Sequence, residues 1–308
     1  MSSRGTWQDW LLFVALGFFW GSSYLFIKIG VDAGLQPFSL VALRLFFGLL
    51  LIGSVVLVAR ERLPRRLATY WHLLMIGILS VALPFSLITW AEQSVDSTLA
   101  AVINGGVPLF TIVIAATFLT DEPFTTPRVV GLLVGFVGVA ILVGFDPGVL
   151  AGTSLVPALA LLGSTLSYAA GAVYARRFLH GLRPMITALF EVVFALVIAS
   201  ALAVTVGGGI GLPDSGEAWL AVAWLGLLGS GLAFLVFFRL LARWGATRTS
   251  MVAYLLPVFG LILGAVVLQE PVDARLIIGT ALVIAGVALV NLRMRRWRAV
   301  RQPVEELR

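Results

Sequence analysis

Residues 10–31 read WLLFVALGFFWGSSYLFIKIGV, an apolar run that contains a single basic residue, Lys28, near its end. A transmembrane helix needs about 20 apolar residues to cross the hydrocarbon core of a bilayer, and this run meets that length. Nine further runs of similar character follow. We therefore predict ten membrane-spanning helices, over residues 10–31, 38–59, 70–91, 98–119, 128–145, 155–178, 184–206, 217–240, 247–268 and 274–292.

The composition supports an all-α integral membrane protein. Of the 308 residues, 60% are hydrophobic and 12% are charged, and the mean hydropathy is +1.05. A soluble domain carries roughly 25% charged residues, so a water-soluble fold could not bury this much apolar surface. The links between runs are short, and no GxxxxGK[ST] loop occurs. We therefore expect no nucleotide-binding domain in this chain. The first run is too long, and too polar at its centre, for a cleavable signal peptide.

Residue usage excludes several chemistries. The chain has no cysteine, which excludes disulfides, thiolate metal sites and cysteine nucleophiles. Its two histidines, His72 and His180, lie in or beside short basic loops, so we predict no metal site and no cofactor. An intramembrane enzyme is the rival interpretation from another class. Gly229-Ser-Gly231 resembles an intramembrane serine-protease motif only superficially, however, and no span supplies a histidine base.

The distribution of basic residues predicts the orientation. With the N-terminus in the cytoplasm, eighteen of the 21 Lys and Arg residues fall in inside segments, Lys28 and Arg44 fall within spans, and Arg275 falls outside. This bias predicts cytoplasmic N- and C-termini and an even number of spans. We interpret the net charge of +6 as attraction to anionic lipid rather than to nucleic acid. The predicted location is a bacterial inner membrane.

The two halves of the chain resemble each other. Residues 16–44 match residues 163–191 at an offset of 147, and GILSVALPF at 77–85 matches GLLGSGLAF at 226–234 at an offset of 149. Each half contains five predicted spans, an odd number, so the second half must be inverted relative to the first. Inverted repeats are typical of secondary transporters. We therefore predict a first five-helix repeat over residues 1–148, an inverted second repeat over 149–292, and a basic cytoplasmic tail over 293–308.

Several short motifs occur in order along the chain, and the last two occupy matching places in the two halves. They are WGSSYLF at 20–26, RLF at 44–46, PLFT at 108–111 followed by DEP at 121–123, and PVF at 257–259 followed by QEP at 269–271. These resemble the W-G-x-x-[FY], R-F and P-l-f…E signatures of EamA-type members of the drug/metabolite transporter superfamily. Each motif is short, but their order and the ten-helix pattern cover essentially the whole chain in two tandem units.

The resemblance implies a carrier driven by a proton or another gradient, most often an exporter of amino acids or other metabolites. Within the family the chain is most similar to bacterial aromatic amino-acid exporters. Sister branches export threonine, homoserine, cysteine-pathway metabolites or purines. The second half departs from the first, because Glu191 stands where the repeat has Arg44, and Ser167 where it has Trp20. The two halves therefore cannot have identical chemical roles.

Charged residues inside spans are candidate site residues, because a charge in the bilayer core is costly unless it faces protein or water. Arg44 could bind a substrate carboxylate bidentately, or it could tie its helix to a neighbouring carbonyl or carboxylate. Glu191 could be a protonatable coupling group, or a neutral or paired structural group. Lys28 is interpreted as structural, with Asp32 four residues further on.

Acidic residues also end several predicted helices. Glu122 and Glu270 are each followed by proline and are interpreted as helix-end residues at the bilayer surface. The role of Glu92, at the outer end of the third helix, is left open.

A stripe of polar and aromatic side chains predicts a cavity. Trp20 and Tyr24 share one face of the first helix by 3- and 4-residue spacing, and the repeat-related residues of the sixth helix are also polar or aromatic. Tight packing through Gly17-x-x-x-Gly21 is the alternative. Pro108 frees carbonyls near Asn104. The predicted substrate-binding residues are Trp20, Ser23, Tyr24, Arg44, Pro84, Trp90, Asn104, Ser164, Ser167, Tyr168, Trp224 and Tyr254, with Glu191 as the candidate coupling residue.

These features predict a secondary transporter that exports amino acids, aromatic or otherwise large and apolar, or related small metabolites by alternating access. A broad drug/metabolite exporter, a threonine/homoserine-type exporter and a passive uniporter are alternatives. The expected partners are a small-molecule substrate and the lipid bilayer, in a monomer or a homodimer. Glycines on the fifth and tenth helices are interpreted as packing surfaces, within the chain or against a second copy: Gly131, Gly135, Gly138, Gly279 and Gly286.

Overall fold

The computed structural model describes residues 6–61, 63–118, 126–143, 155–179, 181–244 and 249–300, which are helical with short connections and contain no strand. Pieces that continue one another are counted as one helix. The helices are α1 Trp7–Asp32, α2 Pro37–Val58, α3 Leu67–Ala91, α4 Ser97–Phe118, α5 Thr126–Val143, α6 Leu155–Phe178, α7 Pro184–Thr205, α8 216–244, α9 250–267 and α10 Ala274–Val300.

The helices follow the predicted apolar runs closely. Within the described residues, α1, α2, α3, α4, α6, α7 and α8 are long and apolar enough to cross a membrane. The apolar parts of α5, α9 and α10 are shorter, over Arg128–Leu142, Met251–Val267 and Ala274–Leu289. That these three also span the membrane stays a prediction. Glu122, His180 and residues 301–308 of the predicted tail lie outside the described residues.

Local sequence signals set where several helices begin. At the start of α1, Thr6 and Asp9 form a capping box, in which the side chain of each accepts a hydrogen bond from the backbone N–H of the other. Both α2 and α7 begin at a proline, Pro37 and Pro184. Proline suits this position because the first helical N–H has no intrahelical partner. These two prolines are aligned by the internal repeat.

Two helices contain π-helical segments at repeat-related places. One is Ile78–Ala82 in α3 and the other is Trp224–Leu232 in α8. A π-helical turn carries an extra residue and leaves the helix locally wider, frequently at functional sites. The offset of 149 that relates the two sequences places the first segment on residues 227–231, inside the second segment.

Glycines beside the two π-helical segments make equivalent contacts. A Cβ atom on Gly77 would lie 3.1 Å from Cβ of Phe194 and 3.2 Å from the carbonyl oxygen of Glu191. A Cβ atom on Gly226 would lie 2.5 Å from Cβ of Phe47 and 2.9 Å from the carbonyl oxygen of Arg44. Thus α3 packs against the backbone of α7 as α8 packs against that of α2. That the two halves form an inverted pair of five-helix repeats stays a prediction.

Polar contacts between helix ends define one end of the bundle, which we call the basic end. It holds the start of α1 and the end of α8, joined by an ion pair of 2.6 Å between Arg243 and Asp9. Arg183, which precedes α7, pairs with Glu61, which follows α2. Arg177 in α6 donates to the carbonyl of Phe118, the last residue of α4, at 3.2 Å.

The opposite end, which we call the distal end, is joined by different groups. Lys28 Nζ in α1 donates to the carbonyl of Glu92, which follows α3, at 3.0 Å. Ser97, the first residue of α4, donates its backbone N–H to Glu270 Oε1, beyond α9, at 2.8 Å. The alternation of helix directions expected for successive membrane spans is therefore present for α1–α4 and α6–α9.

Helices α5 and α10 pack against each other through the predicted glycines. A Cβ atom on Gly138 would lie 2.8 Å from the carbonyl oxygen of Gly279, and one on Gly286 would lie 2.5 Å from the backbone nitrogen of Gly135. Backbone-to-backbone contact of this kind needs small residues. The contact lies within one chain, which settles where these glycines pack.

We expect Gly286→Ala to destabilise the fold by about 1–3 kcal/mol, because the added methyl group meets backbone atoms of α5 that cannot rotate away. The matched control is Gly53→Ala in α2, where a Cβ atom would meet nothing within 4 Å. Thermal unfolding of the purified protein in detergent measures both variants. Equal unfolding temperatures for the two variants would contradict the α5–α10 contact.

Candidate binding cavity

A cavity of about 410 Å³ lies between the helices. Residues from α1, α2, α3, α4, α6, α7, α8 and α9 line it, and none of its lining residues comes from the described parts of α5 and α10. The charged groups among the lining residues are one arginine and one glutamate. Seven predicted site residues line this cavity: Trp20, Ser23, Tyr24, Arg44, Asn104, Tyr168 and Glu191.

The face of α1 that carries the predicted polar and aromatic stripe both lines the cavity and packs against α9. Trp20, Ser23 and Tyr24 line the cavity. Beside them, a Cβ atom on Gly17 would lie 2.7 Å from Cβ of Leu255, and one on Gly21 would lie 2.6 Å from Cβ of Phe259. The glycines therefore hold α9 close to α1, while the larger side chains face the cavity.

Arg44 is held at two points of its guanidinium group. Its side chain is buried, with the residue 3% exposed. Nε donates to Ser230 Oγ in α8 at 3.3 Å, and Cζ lies 4.0 Å from the ring centroid of Phe85 in α3, a cation–π contact. No ion pair, and no hydrogen bond from the two terminal nitrogens, is formed with the described residues. The guanidinium is thus oriented by the protein while its fork remains available.

Glu191 lies in the same cavity but toward the other end. Residue Glu191 is 8% exposed, and none of the described residues pairs with its carboxyl group or hydrogen-bonds to it. Arg44 lies seven residues into α2 from the distal end, and Glu191 lies seven residues into α7 from the basic end. At 1.5 Å per residue, the two are separated along the bundle by about 10 Å. They therefore face different parts of the cavity.

Asn104 is fixed by three hydrogen bonds. Its Nδ2 donates to the carbonyl of Ala100 at 3.0 Å, and its Oδ1 accepts from Ser164 Oγ at 2.9 Å and from Thr165 Oγ1 at 3.4 Å. The helix turns irregularly at Gly106, just before Pro108. The amide of Asn104 thus connects α4 to α6 at the cavity wall.

The cavity is closed at the distal end and extends toward the basic end. Beyond its outermost lining residues, Thr89, Glu92, Ser97 and Thr98 are 0–1% exposed. At the other end its lining reaches Ala175, Val252 and Ala253, within about one turn of the ends of α6 and α9.

The family model of the EamA-like transporter family matches residues 9–144 and 155–292. The chain belongs to this family. It is 29% identical over 281 residues to the uncharacterized inner membrane transporter YedA of Escherichia coli K12, covering 90% of this chain and 89% of that protein. It is 26% identical over 310 residues to the uncharacterized transporter YvbV of Bacillus subtilis 168, covering 96% and 95%.

A solved crystal structure shares the fold of this EamA-like transporter. The TM-score is 0.67 at 22% identity, and the match covers 94% of this chain and 99% of that chain. The family and the names of the relatives indicate a membrane transporter, which implies a small-molecule substrate and a surrounding lipid bilayer.

Three predicted residues of the EamA-like transporter hold helices together rather than line the cavity. Ser164 supports Asn104, as described above. Ser167 Oγ donates to the carbonyl of Leu79 in the π-helical segment of α3 at 2.7 Å, and Tyr254 OH donates to the carbonyl of Val287 in α10 at 2.7 Å. Their hydroxyl groups satisfy backbone carbonyls, so a polar residue in a span did not by itself identify a cavity wall.

The other three also lie outside the lining. Trp224 stacks on Phe26 with ring centroids 4.5 Å apart, and its Nε1 donates to Ser22 Oγ at 3.0 Å. Trp90 is 38% exposed on the outside of the bundle. Pro84 is buried directly after the π-helical segment of α3.

Sequence reasoning missed part of the apolar wall. Phe237 packs on Trp20 with ring centroids 5.4 Å apart, and two small residues of α6, Gly171 and Ala172, also line the cavity. The three-residue spacing from Phe234 was a usable signal for Phe237, but phenylalanine is too frequent in this chain for spacing alone to select it.

Proposed function

We propose that this EamA-like transporter exports amino acids with aromatic or other large apolar side chains across the inner membrane by alternating access. The observation that carries the proposal is that one oriented arginine and several aromatic side chains line the same cavity. The basic end is the cytoplasmic end, according to the positive-inside rule. The cavity therefore receives substrate from the cytoplasm in the state described here.

The size and polarity of the cavity support an amino-acid substrate. Its volume of about 410 Å³ falls within the range of small-molecule sites, which are mostly apolar with a few placed polar groups. A guanidinium whose fork is available binds a carboxylate through two parallel hydrogen bonds. We therefore assign the substrate carboxylate to Arg44 and neighbouring polar contacts to Ser23 and Tyr24.

The aromatic wall supports a large apolar side chain on the substrate. Trp20 lies against Phe234 and Phe237, with centroid distances of 6.3 Å and 5.4 Å. Aromatic rings of this kind stack on another ring or pack against an aliphatic chain. This wall favours aromatic amino acids over threonine or homoserine, whose side chains carry a hydroxyl group.

Glu191 is assigned as the proton-coupling group. It faces the cavity near the cytoplasmic end, without a partner among the described residues. A carboxyl group in that position takes up and releases protons as the cavity is hydrated. In this scheme the five-helix repeats of residues 1–148 and 149–292 rock against each other and expose the cavity to one side at a time.

The unpaired carboxyl group of Glu191 also favours a second candidate, a broad exporter of amphiphilic cations. An acid in an apolar cavity attracts an ammonium or aromatic cation. The two candidates differ in which charge they require of the substrate, a carboxylate or a cation.

Counterflow in proteoliposomes tests the proposed function. We expect liposomes loaded with unlabelled tryptophan or phenylalanine to accumulate the labelled form saturably, and threonine-loaded liposomes to show at least tenfold slower exchange. A panel of cationic dyes tests the second candidate in the same liposomes. Exchange of dyes but of no amino acid would contradict the amino-acid assignment, and non-saturable flux would indicate a passive channel.

A further inference from the structure

The distal closure contains a buried acid that the proposed function does not use. We call distal closure the fully buried set Thr89, Glu92, Ser97 and Thr98. Glu92 lies one residue beyond the span Leu67–Ala91 and is 0% exposed. Both of its carboxyl oxygens are buried, and neither accepts a hydrogen bond from any described residue. The hydroxyl groups of Thr89 and Ser97 are likewise buried without a partner there.

A second acidic residue in the same region, Glu270, differs from Glu92 in its hydrogen-bond donors. Glu270 accepts hydrogen bonds from the backbone N–H groups of Ser97 and Thr98, at 2.8 and 2.9 Å, and from the hydroxyl group of Thr98. Its negative charge is placed at the N-terminus of α4, where the helix dipole favours it. The carboxyl oxygens of Glu270 thus accept three hydrogen bonds, whereas those of Glu92 accept none from the described residues.

The charged groups around Glu92 do not form an ion pair with it. Tyr24, Lys28 and Asp32 of α1, Arg44 of α2 and Glu270 are near enough to act on it electrostatically. Lys28 Nζ instead donates to the backbone carbonyl of Glu92 and pairs with Asp32 at 3.3 Å. Asp96, which precedes α4, interacts with Lys28 and Glu270. Tyr168 of α6, which packs on the second half of α3, acts on Arg44.

We propose that Glu92 is a proton-binding site, separate from the cavity, and that the distal end closes only when Glu92 has taken up a proton from the external medium. A buried acid without donors is tolerated when it is neutral and is costly when it is charged. Opening the distal end would hydrate the carboxyl group and release its proton outward. The proposal concerns the closure and does not depend on the identity of the substrate.

The direction of the pH effect follows from the same burial. Burial raises the pKa of Glu92 well above its ordinary value, Glu270 adds to the rise, and Lys28 and Arg44 act against it. A group whose pKa is raised in the closed state stabilises that state at low pH, and this stabilisation is lost as pH rises through the raised pKa. Between the pKa values of the open and closed states, the ratio of open to closed protein changes by up to about tenfold per pH unit.

Cysteine accessibility tests the proposal without any substrate. The chain contains no cysteine, so a single substitution introduces the only thiol. We choose Ile88→Cys, because Ile88 lines the cavity and lies one helical turn before Glu92. A membrane-impermeant thiol reagent is added outside right-side-out vesicles. We expect the labelling rate to rise with external pH, and Ile88→Cys with Glu92→Gln to label slowly at every pH. Glu217→Gln, an exposed acid near the start of α8, is the matched control and keeps the pH dependence.

Several results would overturn the proposal. For the protein with Ile88→Cys alone, these results are a labelling rate that does not change with external pH, or one that responds to external Na⁺ instead of pH. For the protein that also carries Glu92→Gln, they are a labelling rate that still depends on pH, or fast labelling at all pH values. Glu92→Met, an apolar side chain of similar length, supplies a second neutral variant with the same expected result. Because labelling needs no substrate, the proposed function and this proposal fail independently.

Discussion

Arg44→Lys is expected to weaken the apparent affinity for tryptophan by about 30-fold, which corresponds to about 2 kcal/mol. Lysine keeps the charge but cannot form two parallel hydrogen bonds to a carboxylate, nor present a planar group to the ring of Phe85. The half-saturation concentration for counterflow, measured on protein of equal folded yield, gives the effect directly.

A change of substrate makes this test specific. Tryptamine lacks the carboxylate, so we expect the wild-type protein to prefer tryptophan over tryptamine and Arg44→Lys to lose most of that preference. Arg275→Lys, at an exposed arginine of the distal end, is the control and should leave the affinity unchanged. If Arg44 only ties α2 to α8 through Ser230, the variant will show a reduced folded yield with unchanged affinity in the surviving protein.

Glu191→Gln is expected to abolish the response of transport to a pH gradient while leaving exchange of substrate intact. If one proton moves per substrate, a gradient of one pH unit supports up to about tenfold accumulation. Without the carboxyl group of residue 191 to carry the proton, that accumulation ratio falls to one. Glutamine has nearly the same shape as glutamate, and Gly77 of α3 lies against backbone atoms of residue 191, so the substitution should leave the packing of α7 on α3 unchanged.

Two readouts separate this effect from a loss of folding or of binding. Counterflow at equal pH on both sides should stay within about twofold of wild type in Glu191→Gln, because it requires no net proton movement. Glu217→Gln should retain gradient-driven accumulation. Retention of accumulation by Glu191→Gln would remove Glu191 from the coupling scheme, and failure of the wild-type protein to respond to a gradient would favour facilitated diffusion.

The two proposed proton sites can be distinguished by experiment because they lie toward opposite ends of the bundle. Glu191 faces the part of the cavity that extends to the basic end, whereas Glu92 lies in the distal closure. Glu191→Gln should therefore leave external-pH control of labelling at position 88 unchanged, and Glu92→Gln should abolish it. A single group serving both roles would make the two variants behave alike.

Hydropathy located the helices because a membrane span must be apolar over a set length and must satisfy its own backbone hydrogen bonds. That constraint acts locally, so the sequence alone placed the long helices. The predicted repeat aligns Gly77 with Gly226, and both glycines lie against the backbone of a neighbouring helix. The π-helical segments were not foreseen. The stretches that contain them read as ordinary apolar helix, and the extra residue is accommodated by contacts with α7 and α2.

The candidate site was predicted only in part, because similar residue types serve two purposes in a membrane. Tyr24, Arg44 and Glu191 were singled out as polar groups in spans, and they line the cavity. Ser167 and Tyr254 were chosen for the same reason, yet they satisfy backbone carbonyls of neighbouring helices. Which purpose a hydroxyl group serves depends on what lies opposite it.

The sequence by itself determined the membrane class, the long helices and the family, because apolar length, Arg placement and short motifs are properties of contiguous residues. Only the tertiary structure decided that Arg44 and Glu191 share one cavity and form no ion pair with the described residues. It likewise decided that Glu92 is buried and that its carboxyl oxygens accept no hydrogen bond from that part of the chain. It also decided that Glu270 caps a helix whose first residue, Ser97, lies 173 positions earlier in the chain. Such contacts depend on how helices that are distant in sequence pack together, and hydropathy does not predict which helix faces are in contact.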